Sequence, residues 1–387
     1  MTEPLRIVLP IHSFEPGGVE RVALNLARHW QDAGHDVVVV LGRNEGPDRA
    51  CAPPGLRYWS CRSFIPTAPF ETIWMMWCLC LYLARGRADV LFCPGNTYTV
   101  VCVVMKLLLG DRCPPVVVKV SNDLVRADKP LLRRLWYRLW LRLNGLFLDR
   151  FVALAEPMFD EVVKGMGVAA HRVTTIHDPA LDRRRFERLQ AMPRERAAGR
   201  ALRYLAVGRL AAQKNVEMLL MAFASGFRPG DRLTIVGAGP ELGALRRVVR
   251  TMALRGIVTF TGHLPSPDEH FRTSDCLLLS SNYEGVPAVV IEAIAAGLPV
   301  IATDCCASMK SLLGGGTRGV LVPVGDVHAM AQAIARPERL PQPGPGERAY
   351  AARFSLELAA TSYLAVMREA VAVSDQVRTA LLPELLR

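Results

Sequence analysis

Residues 276–302, CLLLSSNYEGVPAVVIEAIAAGLPVIA, read as a strand, a polar turn, a helix and a second strand. The apolar run 276–279 is too short for a helix and is bounded by the turn residues of 280–287. Pro287 stands near the helix start, where its missing N–H costs nothing. Residues 299–302 then return as another short apolar strand. Such a unit demands a parallel pairing, and the same rhythm spreads outward from it. Runs 204–207, 233–236 and 257–261 are strands of this type, nearly all followed by helical patterns.

The amino-terminal half repeats the scheme. Residues 5–11 form a strand, Gly17-Gly18 a turn, and 19–32 a helix with Val22, Leu26 and His29/Trp30 at helical spacing. Strands follow at 36–41 (DVVVVL), 90–93, 116–120 and 150–154. These runs suit strands covered by helices on both faces. The fold class is therefore α/β with two Rossmann-like domains. Their strand carboxyl ends are expected to face each other across a cleft. The expected boundaries are 1–178 for the first domain, a charged, core-poor linker over 179–202, and 203–354 for the second. The tail 355–387 should be helical and pack back on the first domain. Residues 337–346, rich in Pro and Gly, read as a surface loop.

Composition agrees. The chain has 387 residues, 51% hydrophobic and 21% charged, enough for two cores and too apolar for bulk disorder. Ten cysteines lie scattered without zinc-type spacing, so they read as reduced, with no metal site. No long apolar leader opens the chain. The most membrane-like stretch, 73–84 (IWMMWCLCLYLA), falls short of the ~20 apolar residues a span needs.

The net charge is +11. Residues 129–150 (KPLLRRLWYRLWLRLNGLFLDR) interleave arginines with Leu, Trp and Tyr, and Arg134, Arg138 and Arg142 share one helical face. This helix suits either an anionic membrane surface or a plain basic edge over the sheet. No nucleic-acid-binding motif is present, so nucleic acid is not an expected partner. The expected location is cytoplasmic, with peripheral contact to the inner face of a membrane.

Chemistry concentrates around the opening stretch. Glu284 precedes the helix and Glu292 lies on it. The helix start offers backbone N–H groups and a positive dipole end, so Gly285, Val286 and Pro287 are placed to bind a diphosphate. Glu292 can then accept hydrogen bonds from ribose hydroxyls. Cations must offset the carboxylates, and Gly208-Arg209, at the end of strand 204–207, and Lys214 supply them.

The runs 207–214 (VGRLAAQK), 235–241 (IVGAGPE), 260–263 (FTGH) and 284–292 (EGVPAVVIE) together resemble the family 4 glycosyltransferases of the GT-B fold, whose hallmark is two glutamates separated by seven residues. Gly17-Gly18-Val19-Glu20 is similar to that family's glycine-rich donor loop. The resemblance implies a retaining enzyme using a nucleotide-diphosphate sugar such as a UDP-sugar. Its acceptor would be a glycan or lipid-linked saccharide, as in surface polysaccharide or glycolipid synthesis. Arg209 and Lys214 match the diphosphate pair, with Glu284 beside them near the donor sugar's hydroxyls, as the catalytic set. Glu292 matches the ribose-binding glutamate. Gly18 would admit the phosphate closely, and the Gly262-His263-Leu264 turn matches the segment that contacts the base. Gly208 and Gly237 belong to the same donor-binding set. Where many relatives have a histidine, this chain reads Val120-Ser121-Asn122-Asp123, leaving Asn122 as the acceptor-side polar group. Another departure is Ile176-His177-Asp178-Pro179, where relatives often carry an Asn-Gly turn.

The chain lacks an Asp-x-Asp motif, so neither a cofactor nor an obligatory metal is expected. A nucleotide-sugar epimerase or phosphorylase on a related scaffold is a rival reading, and so is a catalytically silent scaffold at a membrane assembly. Gly237-Ala238-Gly239 follows a strand, but without a third glycine it makes a poor dinucleotide-binding loop.

Overall fold

A computed structural model describes residues 3–15, 17–122, 124, 130–193 and 200–385, with side chains as far as residue 376. The chain divides into two compact units, residues 1–179 with 356–387, and residues 180–355. Asp123, Lys129 and part of the expected linker lie outside the described residues.

The first unit runs β1 (Arg6–Ile11), α1 (Gly18–Asp32), β2 (Asp36–Leu41), β3 (Arg57–Ser60), α2 (Glu71–Arg85), β4 (Val90–Cys93), α3 (Thr99–Leu109), β5 (Val116–Lys119), α4 (Leu131–Phe147), β6 (Arg150–Ala153), α5 (Glu156–Met166) and β7 (Val173–Thr175). Its seven strands are ordered β3-β2-β1-β4-β5-β6-β7, and the pairs are parallel, with Ile7 beside Val37 and Val90. Beyond their first residues, Arg6, Asp36 and Arg150, the inner strands are buried, as covered parallel strands should be. Helix α1 buries Val22, Leu26 and Trp30. Helix α2, over the membrane-like stretch, is half-buried and leaves Ile73 and Trp77 exposed. Among the described residues no helix is long and apolar enough to cross a membrane.

The second unit opens with α6 (Arg183–Gln190) and continues β8 (Arg203–Val207), α7 (Val216–Gly226), β9 (Arg232–Val236), α8 (Leu242–Thr251), β10 (Val258–Gly262), α9 (Asp268–Thr273), β11 (Cys276–Leu279), α10 (Ala288–Ala295), β12 (Val300–Thr303), α11 (Met309–Leu312), β13 (Gly319–Val322), α12 (Val327–Ala335) and α13 (Pro345–Ala349). Six strands lie in the order β10-β9-β8-β11-β12-β13. The chain reverses direction across this sheet between β8 and β11, so the loops after those strands diverge and leave room for side chains.

Four stretches depart from the sequence expectation. Residues 183–190, expected within a linker, form α6, capped by Asp182 through the Arg185 N–H at 2.8 Å. The helix buries Leu189, and its Arg185 spends its charge on ion pairs instead of on water. Composition alone hid that use. Strands β3, β7 and β13 also went unpredicted, because each is short and half-exposed or Gly-led.

The final helix, α14 (Leu356–Leu385), returns to the first unit. The Trp30 indole N–H donates to the Ala360 carbonyl at 3.0 Å. Trp30, Phe92 and Tyr363 meet edge to face, with centroids 5.1 to 6.2 Å apart. Such aromatic packing adds to the area it buries. Near the crossing out of this unit, Asp178 pairs with the Lys119 ammonium at 3.0 Å, both side chains buried.

Glycine sets the carboxyl edge of the second sheet. A Cβ on Gly237 would stand 1.9 Å from the Gly208 carbonyl oxygen, and one on Gly239 would stand 2.3 Å from that of Leu210. The Gly237 N–H donates to the Gly262 carbonyl at 2.8 Å, and the Leu210 N–H to that of Ala238 at 2.9 Å. These glycines therefore serve the contact of three loops, which accounts for a G-x-G without a dinucleotide.

Two mutations test this packing. Gly237→Ala should cost about 3 kcal/mol, whereas Gly18→Ala, with no atom within 4 Å of the new methyl, should change stability by less than about 0.5 kcal/mol; chemical denaturation of both reads the contrast. Trp30→Ala should cost about 3–5 kcal/mol and speed limited proteolysis of α14.

Candidate functional site

The turn after β11 is held from several sides. Asn282 receives Asn215 Nδ2 on its Oδ1 at 2.9 Å, donates from Nδ2 to the Ala212 carbonyl at 2.9 Å, and donates its backbone N–H to Gln213 O at 2.8 Å. The Ser280 hydroxyl donates to Lys214 O at 2.8 Å. These bonds knit the 209–215 turn after β8 to the 280–284 turn after β11. Lys214 and Glu284, distant in sequence, thereby meet.

The Lys214 Nζ lies 2.5 Å from Glu284 Oε1. The same oxygen accepts from the Ser281 hydroxyl at 2.7 Å, and Gln213 Nε2 approaches Oε2 at 3.4 Å. Glu284 is 7% exposed, so the carboxylate is desolvated and these donors offset that cost. Arg209, at the end of β8, is exposed, and its side chain has no hydrogen-bond or ion-pair partner among the described residues. It is a cation available to a ligand. A small cavity beside it is lined by Val207, Gly208, Leu210, Lys214, Leu279 and Ser280.

Gly285, Val286 and Pro287 follow, all buried, at the start of α10. The Ser308 hydroxyl donates to the Gly285 carbonyl at 2.9 Å and fixes the turn. The N–H groups of Gly285, Val286, Ala288 and Val289 have no hydrogen-bond partner among the described residues. Unsatisfied donors at a helix start are what an anion requires.

Glu292 is 3% exposed on α10. Its Oε1 is bound by Arg185 Nη1 at 2.7 Å, and Arg185 Nε reaches Asp268 Oδ1 at 3.1 Å. Burial lowers the Arg185 pKa, but Glu292 and Asp268 outweigh it and hold the guanidinium above its ordinary value. A ribose reaching Glu292 would therefore meet a carboxylate with a partner already in place. The sequence reading missed this pairing, because nothing marks one arginine within an arginine-rich run.

The remaining residues are spread over both units. Gly208, Gly237 and Gly262 stand at adjacent strand ends, and Gly237 packs against backbone. A glycine is required there by loop packing, since the Gly208 carbonyl fills the space beside its Cα. His263 is exposed and Leu264 half-buried, just beyond Gly262. Gly17, Gly18 and Asn122 belong to the first unit. Gly17 is the residue before α1, and Gly18 opens it. Asn122 is half-buried after β5, next to Ser121, whose N–H donates to Asn96 Oδ1 at 2.8 Å. Unpredicted at this sheet edge is a polar group in which the Tyr98 hydroxyl donates to Glu20 Oε1 at 2.9 Å and accepts from the His12 N–H at 3.1 Å. Burial lowers the His12 pKa, the imidazole stacking on Tyr98 at 4.5 Å. Among the described residues no group of three His, Cys, Asp or Glu side chains is placed to hold a metal ion.

Comparisons with known proteins meet this geometry. Residues 17–179 match the family described as "Glycosyl transferase 4-like domain", and residues 201–337 match "Glycosyl transferases group 1". The amylovoran biosynthesis glycosyltransferase AmsD of Erwinia amylovora is 38% identical over 103 residues, 27% of this chain and 29% of that protein. The D-inositol 3-phosphate glycosyltransferase of Saccharomonospora viridis is 30% identical over 249 residues, 58% of this chain and 56% of its own. The matches span 19 to 56% of the curated relatives' lengths. The crystal structure of Anabaena HepE with UDP and glucose superposes at a TM-score of 0.73 and 17% identity, over 94% of this chain and all of that one. That likeness speaks for the fold. The chain belongs to the family 4-like glycosyltransferases of the GT-B fold.

Proposed function

We propose that the protein transfers a sugar, with retention, from a nucleotide-diphosphate sugar to a hydroxyl of a glycan or lipid-linked saccharide. The observation that carries this reading is the unpartnered Arg209 standing in the same turn as Lys214, whose partner Glu284 directly precedes the unpaired N–H groups at the start of α10. Two cations and a helix start are what a leaving diphosphate needs as charge grows on its oxygen. A UDP-sugar is the proposed donor, in keeping with the UDP bound in the HepE structure. Surface polysaccharide synthesis suits the name of the amylovoran relative.

The step is a same-face displacement. The anomeric carbon–phosphate oxygen bond breaks as the acceptor oxygen bonds to that carbon, and the acceptor proton passes to the departing phosphate. No side chain serves as nucleophile. Arg209 and Lys214 stabilise the leaving group, the N–H groups of residues 285–289 bind the diphosphate, and Glu284 orients both Lys214 and the sugar hydroxyls. Glu292 accepts from the ribose, the turn at His263-Leu264 receives the base, and Asn122 faces the acceptor. In this reading neither a cofactor nor an obligatory metal takes part.

We further assign the first unit a peripheral contact with the inner face of a membrane. Leu132, Leu135, Trp136, Leu139 and Leu146 of α4 are all more than half exposed, at helical spacing opposite the buried Leu141, Asn144 and Gly145. Exposed Arg133 and Arg138 flank this stripe. An apolar stripe edged by arginines matches an anionic lipid surface better than it matches water.

Assay with UDP- and GDP-sugars is the direct test, with the product linkage read by NMR. An α-linked product from an α-linked donor is expected, and inversion refutes the mechanism. Arg209→Ala should lower kcat by roughly 10²–10³-fold with a smaller change in donor KM. A protein that binds UDP but never transfers would instead be a silent scaffold. For the membrane contact, Arg133→Glu with Arg138→Glu should weaken binding to anionic liposomes by at least about a hundredfold, and unchanged co-sedimentation counts against the assignment.

A further inference from the structure

We infer that Arg185 is a positioning residue for the donor nucleotide, holding the Glu292 carboxylate in the pose that takes the ribose hydroxyls. The inference rests on the assignment of Glu292 to the ribose and adds a residue that no motif points to. Glu292 sits on a helix whose residues 289–295 are all buried. A carboxylate there needs a cation, and Arg185 Nη1 supplies it at 2.7 Å. A long side chain seldom holds one pose by itself. Arg185 is fixed by a second prong, Nε to Asp268 Oδ1 at 3.1 Å, and Arg188 Nη2 approaches the other Asp268 oxygen at 3.4 Å. The planar guanidinium thus spans α9 and α10 from α6, a rigid fork that a lysine cannot copy.

The backbone that carries Arg185 is tied down as well. Asp182 caps α6 through the Arg185 N–H at 2.8 Å. At the other end Arg348 Nη2 donates to the carbonyls of Leu189 at 3.1 Å and Met192 at 3.3 Å, while its Nε reaches the Ala295 carbonyl at the end of α10 at 3.4 Å. Helix α6 is therefore tied to α10 at two points, directly through Arg185 and indirectly through Arg348, and the Arg185–Glu292 geometry is set by the fold. Arg185 Nη2 is also buried with no hydrogen-bond partner, a donor left over at the place where the ribose is assigned. Two of the three guanidinium nitrogens hold carboxylates and the third is spare, as a group that shapes a polar pocket requires.

The test is ribose discrimination. UDP and GDP are titrated calorimetrically, each beside its 2′,3′-dideoxy analogue, and the tighter pair is taken forward. The wild-type protein should bind the dideoxy form at least about tenfold more weakly. In Arg185→Gln the natural nucleotide should weaken by roughly tenfold and the analogue by less than about twofold, so that the preference collapses. Donor KM should rise with it, while kcat and acceptor KM stay within about twofold. Arg185→Lys, which keeps the charge but loses one prong, should fall between, and it decides the matter if Arg185→Gln does not fold. An undiminished preference in both variants overturns the inference. So does tighter nucleotide binding in Arg185→Gln, because the guanidinium would then be competing with the ribose. A wild-type protein indifferent to the ribose hydroxyls removes Glu292 from the ribose altogether, and the inference goes with it.

Discussion

Burying a carboxylate costs several kcal/mol after relaxation unless a cation and hydrogen bonds meet it. The second unit does this twice within one turn and helix. Glu284 and Glu292 are both nearly inaccessible, and each takes its cation from a different part of the chain, Lys214 and Arg185 respectively. The parallel sheet exists in part to deliver those partners. Strands β8 and β11 are neighbours, so their following turns bond together and bring Lys214 to Glu284. Helix α6 lies against α9 and α10 and brings Arg185 to Glu292. Remove the cations and each buried carboxylate would lose the charge that balances it.

This arrangement also explains why the charged groups of the site are unequal. Lys214 is already occupied, whereas Arg209 is exposed and unpartnered. In the proposed reaction an incoming diphosphate would meet one unpaired cation and one that it must share with Glu284. Such sharing would tune affinity. A lysine held by a carboxylate grips a ground-state anion less firmly than a free one, and its pull would grow as charge accumulates on the leaving oxygen, favouring turnover over tight binding.

Much of this was legible in the amino-acid order, for physical reasons. Short β-branched runs between turn residues are unambiguous when they alternate with helical spacing, so the inner strands of both sheets could be read to within a residue or two. Three of the four edge strands could not. β3 carries RYWS, half-exposed and without alternation to count, and β7 has three residues. The placement of Glu284 before the helix and Glu292 on it was readable because the spacing and neighbours are local. Arg185 was not, since its role comes from helices α9 and α10, which lie about 80 and 105 residues away along the chain. The same long range misled the reading of 183–190: a run dense in arginine suggests solvent until its counter-charges are seen. The close packing at Gly237 was not legible either, because it depends on the Gly208 carbonyl in the loop after the neighbouring strand.

The return of α14 to the first unit has a consequence for how the protein comes to be. A chain emerges from the ribosome amino end first. Residues 1–179 are therefore made early, yet Trp30 and Phe92 must wait for Tyr363 and Ala360 before their surfaces close. Unit 2, residues 180–355, is contiguous and complete before that helix is made. The half that is synthesised second can close first, and the early half stays open along one aromatic seam until α14 has been made.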